Sequence, residues 1–167
     1  MQISVVIPAL NEAANIGSVI RLAAQCRLVN EIVVVDDGSI DDTRGEAERA
    51  GARVVNGSLL GKGSAMEDGL QAASGGLIVY LDGDLRGLRR DLIERMVEPL
   101  MDGRADFVKA KFSREAGRVT VLTARPLLAT FFPELAVIAQ PLGGLIAVRR
   151  ALLEQLHFET DYGVDLG

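Results

Sequence analysis

Glu31-Ile-Val-Val-Val-Asp36 is the stretch on which the reading of this chain turns. Its unbroken β-branched run offers no polar face, so a strand built from it is buried on both sides, as in a parallel sheet covered by helices. Upstream, Ile3 to Ile7 is a second, largely β-branched run. Pro8 is expected to end it, because proline cannot donate to a central ladder. Between the two runs Asn11 can cap a helix, and Ile16, Val19, Ile20 and Ala23 recur at helical spacing. Downstream, Asp41 or Asp42 can cap a helix ending near Gly51, and Ala52 to Val55 reads as a strand. Lys62 to Ala73 carries Ala65, Met66, Gly69, Leu70 and Ala73 on one helical face, and Leu77 to Leu81 is a further apolar strand. Leu92, Ile93, Met96, Val97, Leu100 and Met101 mark an amphipathic helix that Pro99 is expected to kink or end early. Phe107 to Phe112 and Leu145 to Val148 read as strands with a less regular segment between them. This alternation predicts an α/β sandwich around a mainly parallel sheet.

The length of 167 residues suits one domain, with no repeat, low-complexity segment or linker. Apolar residues at 49% and charged residues at 25% indicate a folded chain. Eighteen basic against 23 acidic side chains give a net charge of −5, which argues against broad binding to nucleic acid or acidic lipid. The single Cys26 excludes an internal disulfide framework and suits a reducing, cytoplasmic compartment. No apolar run reaches the roughly 18 residues of a membrane span, and the first residues lack the basic region of a secretory signal. Cys26 and the lone His157 read as structural side chains.

In open α/β sheets ligands bind beyond the carboxyl ends of the strands. Three polar clusters fall there: Pro8-Ala-Leu-Asn-Glu12, Asp36-Asp-Gly-Ser39 and Asp82-Gly-Asp84. Taken singly, each is equally a loop or a cap. Together, Asp36, Asp37, Asp82 and Asp84 would bring four carboxylates to one sheet edge, where a cation or hydrogen-bonding ligand must relieve their repulsion. Carboxylate oxygens suit Mg²⁺ or Mn²⁺, which bridge one or two carboxylates to substrate phosphates. Gly83 lets the backbone approach a ligand, and Lys62, between Gly61 and Gly63 at a helix start, favours phosphate. Gly57 to Gly63 is one residue short of a P-loop and lacks its Ser/Thr, and no dinucleotide fingerprint follows the first strand.

As an ordered set these clusters resemble the GT-A glycosyltransferases, the nucleotide-diphospho-sugar transferase fold. The resemblance rests on Val5 to Glu12, Ile32 to Thr43, Gly61-Lys-Gly63 and Leu81-Asp-Gly-Asp-Leu85. It implies that Pro8, Ala9, Leu10, Asn11, Glu12 and Asp37 hold the nucleoside, that Lys62, Asp82 and Gly83 meet the donor, and that Asp84 ligates the metal. The second half is similar to glucosyl-3-phosphoglycerate synthase and its mannosyl relatives, through Gly117-Arg-Val-Thr120, Ala124-Arg-Pro-Leu-Leu128, Gln140-Pro-Leu-Gly-Gly144 and Tyr162-Gly-Val-Asp165. Those are retaining enzymes that move a hexose, such as that of UDP-glucose, to 3-phosphoglycerate.

By that resemblance Gly117, Arg118, Val119 and Thr120 bind the acceptor phosphate, Tyr162 lies by the donor, and Asp165 and Lys62 are the catalytic pair. Asp165 stands where the family has glutamate, and Leu145 where it has glutamate after the glycine pair. The implied division is a nucleotide-sugar half over residues 1–100 and an acceptor half over 101–167 of one GT-A domain, with the family continuing beyond Gly167 to a metal-ligating histidine. The implied partners are a nucleotide-sugar donor and a phosphorylated small-molecule acceptor, with room for a homodimer. Two other readings stay open: a polyprenyl-phosphate glycosyltransferase, and a nucleotide-sugar-binding remnant without turnover.

Overall fold

Strands β1 (Ile3–Ala9), β2 (Val29–Asp36), β3 (Arg53–Asn56), β4 (Leu77–Tyr80), β5 (Phe107–Lys109) and β6 (Ile146–Arg149) form one sheet in the order β3-β2-β1-β4-β6-β5. The computed structural model describes residues 1–110, 120–135, 137 and 143–156. Pairings β3/β2, β2/β1 and β1/β4 are parallel, and β6 runs antiparallel to both β4 and β5. The expected mainly parallel sheet is the one observed. Helices α1 (Ile16–Gln25), α2 (Thr43–Arg49), α3 (Lys62–Ala72), α4 (Leu92–Met101), α5 (Arg125–Phe131) and the short α6 (Arg150–Leu153) accompany it. Among the described residues, no helix is long and apolar enough to cross a membrane.

The strand alternation sorts the core into two layers. Ile3, Val5 and Ile7 of β1 and Val34 of β2 pack with Ile16, Val19, Ile20 and Ala23 of α1 and with Ile93, Met96, Val97 and Leu100 of α4. Val6 of β1 and Val33 and Val35 of β2 face the other way, onto Ala65, Met66 and Leu70 of α3. The valine run of β2 is thus buried on both faces, which is why it carries no alternating pattern.

Two proline expectations are corrected. Pro8 does not end β1, which continues to Ala9 with Pro8 in register with Val35. The Val6 carbonyl accepts from the Leu81 N–H on the β4 side, and the Ala9 carbonyl accepts from the Asp37 N–H on the β2 side. Because backbone groups alternate along a strand, the absent N–H of Pro8 faces the β4 side. There the ladder has already stopped, at Val6 opposite Tyr80, so no bond is lost. Pro99 does not end α4 early either. It forfeits one intrahelical bond close to the helix end, while buried Met96, Val97 and Leu100 hold the last turn and the Pro99 carbonyl accepts from Arg104 and Ala105. Of the strand expected over Phe107 to Phe112, β5 takes in Phe107–Lys109, and its far end, Lys111 and Phe112, lies outside the described residues.

At the amino edge of the sheet a polar knot ties four segments, β1, β2, β3 and the loop before β4. The buried Ser4 hydroxyl donates to Glu31 Oε1 at 2.6 Å and accepts from the Gly75 N–H at 2.8 Å. The Ser74 N–H and hydroxyl also donate to Glu31 Oε1, and Arg53 reaches Glu31 Oε2 at 3.1 Å. Burial pushes the Glu31 carboxyl up, but the hydrogen bonds from Ser4, Ser74 and Arg53 outweigh it and bring the pKa down to about 2. A carboxyl depressed on folding adds stability above its unfolded pKa, and that stability is lost as the pH falls toward the folded one. Acid titration from the ordinary glutamate value of 4.5 toward about 2 is therefore expected to release it. Glu31→Gln should lower stability at neutral pH by about 1–2 kcal/mol, after allowance for solvent screening at the Arg53 end. It should also flatten the acid limb of denaturant melts in that window; an unchanged limb would show that the knot is not pH-linked.

Candidate functional site

The chain leaves β1 for β2 on one side and returns as β4 on the other, so the carboxyl ends of β1 and β4 diverge into a crevice. A groove of about 380 Å³ opens there. Its walls are Pro8, Ala9, Leu10 and Glu12 after β1, Asp37 after β2, Gly61, Lys62 and Ala65 at the start of α3, and Asp82, Gly83 and Asp84 after β4. Residues far apart in the chain are brought together because each follows a strand at the same sheet edge.

Of the four carboxylates expected at this edge, three line the groove. Asp36 does not: its Oδ1 accepts from the Ser39 N–H at 3.0 Å, and Arg44 lies 3.8 Å from its Oδ2. This is a loop-bracing bond from the backbone three residues on. Asp37 has a second task besides facing the groove. Its Oδ1 accepts from the Leu59 N–H at 2.8 Å and its Oδ2 from the Gly61 N–H at 3.2 Å. It therefore holds the loop that delivers Lys62, a loop with two left-handed residues, Leu59 at φ 62° and Gly61 at φ 103°. Lys62 Nζ is 3.2 Å from Asp82 Oδ1, both side chains being partly buried.

The expectation that Asn11 caps the first helix is corrected. The helix begins at Ile16 after Asn15, and Asn11 is exposed outside the groove lining, with φ 58°. Its N–H donates to Ser39 Oγ at 2.9 Å and its Oδ1 accepts from the Ile40 N–H at 2.9 Å. Beside it the Glu12 N–H donates to Thr43 Oγ1 at 2.8 Å and the Ala13 N–H to Asp41 Oδ2 at 3.1 Å. Asp41 Oδ1 in turn accepts from the N–H and hydroxyl of Thr43 at the start of α2. Asp42 stands at the N-cap position without a side-chain cap bond, so the capping carboxylate is that of Asp41. The loop after β1 is thus clasped to the loop after β2.

A further link has no counterpart in the sequence reading. Asn15 Nδ2 donates to Glu12 Oε2 at 2.9 Å, and Arg86 Nη2 donates to Asn15 Oδ1 at 2.9 Å, joining the loops after β1 and β4. Gly61, expected to let a ligand approach beside Lys62, lines the groove, and so does Ala65, which its pattern placed only on a helix face. Gly117, Arg118, Val119, Tyr162 and Asp165 lie outside the described residues, as does His157. Thr120 opens a short π-helical turn, Thr120–Ala124, that leads into α5.

Among the described residues no three Asp, Glu, His or Cys side chains cluster closely enough to cage a cation. The donor set nevertheless suits a hard divalent ion shared with a ligand: exposed Asp84 and half-buried Asp82 offer carboxylate oxygens on one groove wall, and phosphate oxygens could complete the shell.

Residues 4–155 match the family model described as Glycosyl transferase family 2. Glucosyl-3-phosphoglycerate synthase of Mycobacterium tuberculosis is 40% identical over 190 aligned residues, which take in 99% of this chain and 59% of that protein. The crystal structure of the M. tuberculosis enzyme in complex with Mn²⁺, UDP-glucose and phosphoglyceric acid matches with a TM-score of 0.92 and 43% identity, covering 99% of this chain and 62% of that one. Its complex with Mg²⁺ and UDP matches with a TM-score of 0.91 and 43% identity, covering 99% and 62%. The chain thus spans about three-fifths of the length of the curated relatives it matches.

The Asp37 bridges give a direct test of the loop geometry. Asp37→Ala should speed amide hydrogen exchange at Leu59 and Gly61 by about tenfold or more, the equivalent of roughly 1.4 kcal/mol of lost local protection. Exchange at Val33 to Val35 should be unchanged; unaltered exchange at 59 and 61 would remove the bracing role.

Proposed function

The chain belongs to glycosyl transferase family 2 and has the GT-A fold, and on that premise we propose that it carries the donor site of a retaining, metal-dependent glucosyl-3-phosphoglycerate synthase. The observation that supports this reading is the meeting of Asp37, Lys62, Asp82 and Asp84 in one groove at the sheet's switch point. That groove sits in a chain similar over 99% of its length to synthases of that name. In this reading residues 1–100 take the nucleotide sugar and residues 101–167 take the acceptor, in the cytoplasm that the lone Cys26 suits.

Each residue of the groove has a physical task. Pro8 to Leu10 and Glu12 present a backbone-rimmed wall to the nucleoside, held in place by Asn11 and its clasp. Asp37 holds the loop that sets Lys62 and remains able to accept from the nucleoside on its unused lone pairs. Lys62, at the N-terminus of α3, places a cation beside the positive end of the helix dipole, where diphosphate charge is to be met. Asp82 orients Lys62 and meets the donor sugar across Gly83. Asp84, with diphosphate oxygens, would hold Mg²⁺ or Mn²⁺, which when bound supplies neutralisation of charge on the departing diphosphate. Gly117 to Thr120 would receive the acceptor phosphate, Arg118 through its planar fork and Thr120 through its hydroxyl. Tyr162 and Asp165 would stand by the reacting sugar.

Asp84→Ala should weaken metal-dependent UDP binding at least about tenfold, roughly 1.4 kcal/mol, with the melting curve unchanged. Calorimetry with Mg²⁺ and with EDTA checks this, and equal affinities for parent and variant in both conditions would remove the metal role from Asp84.

Arg118→Ala should raise the apparent dissociation constant for 3-phosphoglycerate by roughly ten to a hundredfold while sparing UDP binding, since a charge-assisted phosphate contact is worth about 1.5–3 kcal/mol. Arg118→Lys should recover only part of it. A parent protein that binds UDP with Mg²⁺ but never 3-phosphoglycerate would favour a polyprenyl-phosphate acceptor instead. Binding of both without turnover would favour a binding remnant.

A further inference from the structure

Gly144 has no side chain to contribute, yet its backbone stands against a groove carboxylate. It is buried immediately before β6, and a Cβ built on it would lie 2.6 Å from Asp82 Oδ2 and 2.7 Å from Asp82 Cγ, and closer still to Oδ1. The three atoms nearest the added carbon all belong to that one carboxylate. Nor does the backbone require glycine, since φ at Gly144 is not positive. An alanine here is therefore compatible with the chain path but incompatible with the present place of the Asp82 side chain.

The consequence passes through one ion pair. Asp82 Oδ1, the atom nearest the added carbon, is the same atom that Lys62 Nζ approaches at 3.2 Å. A short carboxylate with two rotatable bonds must swing aside to admit a new methyl group, which takes its Oδ1 from the place where Lys62 Nζ now meets it. We propose that Gly144 is a positioning residue for the donor site: by being bare, it leaves room for the Asp82 carboxylate to stand against Lys62. The segment that connects the acceptor half back into the sheet thereby sets the geometry of a carboxylate and a lysine that belong to the donor half. This rests on the donor-site reading given above.

Gly45 supplies a matched control. A Cβ there would likewise press on a carboxylate, 2.9 Å from Asp42 Cγ and Oδ2, but on α2, away from the groove lining. The experiment measures UDP-glucose affinity with Mg²⁺ by calorimetry, alongside thermal melts, for the parent, Gly144→Ala, Gly45→Ala, Asp82→Ala and the Asp82→Ala/Gly144→Ala pair. Gly144→Ala should melt as the parent does and bind the donor about tenfold or more weakly, the size expected when a charge-assisted contact is lost. Gly45→Ala should bind as the parent does. With Asp82 truncated the added methyl has nothing to displace, so the double variant should bind within about twofold of Asp82→Ala, the non-additivity of two changes acting on one contact.

Normal donor binding by Gly144→Ala would overturn the inference while leaving the donor site standing. So would additive losses in the double variant, or a collapsed melt of Gly144→Ala, either of which would move the cost from Asp82 to the backbone. A parent that does not bind UDP-glucose with Mg²⁺ would overturn the donor-site reading itself, and the inference with it.

Discussion

β1 is hydrogen-bonded along both edges, and the groove exists because those two ladders end at different heights. On the β2 side the rungs continue to the Asp37 N–H on the Ala9 carbonyl, and on the β4 side they stop at the Leu81 N–H on the Val6 carbonyl. The last residues of β1 therefore have a neighbour on one flank and open space on the other. Pro8 falls on the open flank, where its missing donor costs nothing and no further strand can pair. The two-layer core packs this central strand on both faces, and the loops that line the groove start from its fixed end.

The loops themselves are held by polar groups rather than by apolar packing. Asn11, Ser39, Asp41 and Thr43 join the loops after β1 and β2, Asp37 joins the loop after β2 to that before α3, and Asn15 with Arg86 joins the loops after β1 and β4. This separates bracing carboxylates from those with capacity to spare. Asp36 and Asp41 are committed to backbone N–H groups, Asp82 stands against Lys62, and Asp84 is the most exposed of those on the groove wall. On the reading proposed here, preorganised loops let the donor's diphosphate be met by charge already in place, which is the form of electrostatic stabilisation that requires least rearrangement.

The elements whose periodicity is strong are legible in the residues. The valines of β2 and the faces of α1 and α3 fall where their patterns put them, because burial on one or both sides leaves a mark in every residue of the element. The prolines mislead for a common reason. Pro8 and Pro99 are costly only if the hydrogen bond they cannot make would otherwise exist, and that depends on where a neighbouring strand stops or how near the helix end lies. Asn11 misleads because a short polar residue before a helix has the same composition whether it caps that helix or clasps another loop.

The sequence by itself determined the class of the sheet and the polar clusters that follow its strands, since buried parallel strands demand apolar runs and ligand chemistry demands particular side chains. It also carried the ordered motifs by which the family is shown. The residues also pointed to Asp36 as a loop brace beside Asp37, which the Ser39 N–H on Asp36 bears out, but only the tertiary structure placed Asp37, Asp82 and Asp84 in one groove. It alone showed Gly144 against Asp82, sixty-two positions apart in numbering. The physical reason is the same in both cases: a contact between loops depends on where the ladders that support them end, and that is a property of strands paired across the sheet, which no local stretch of sequence contains.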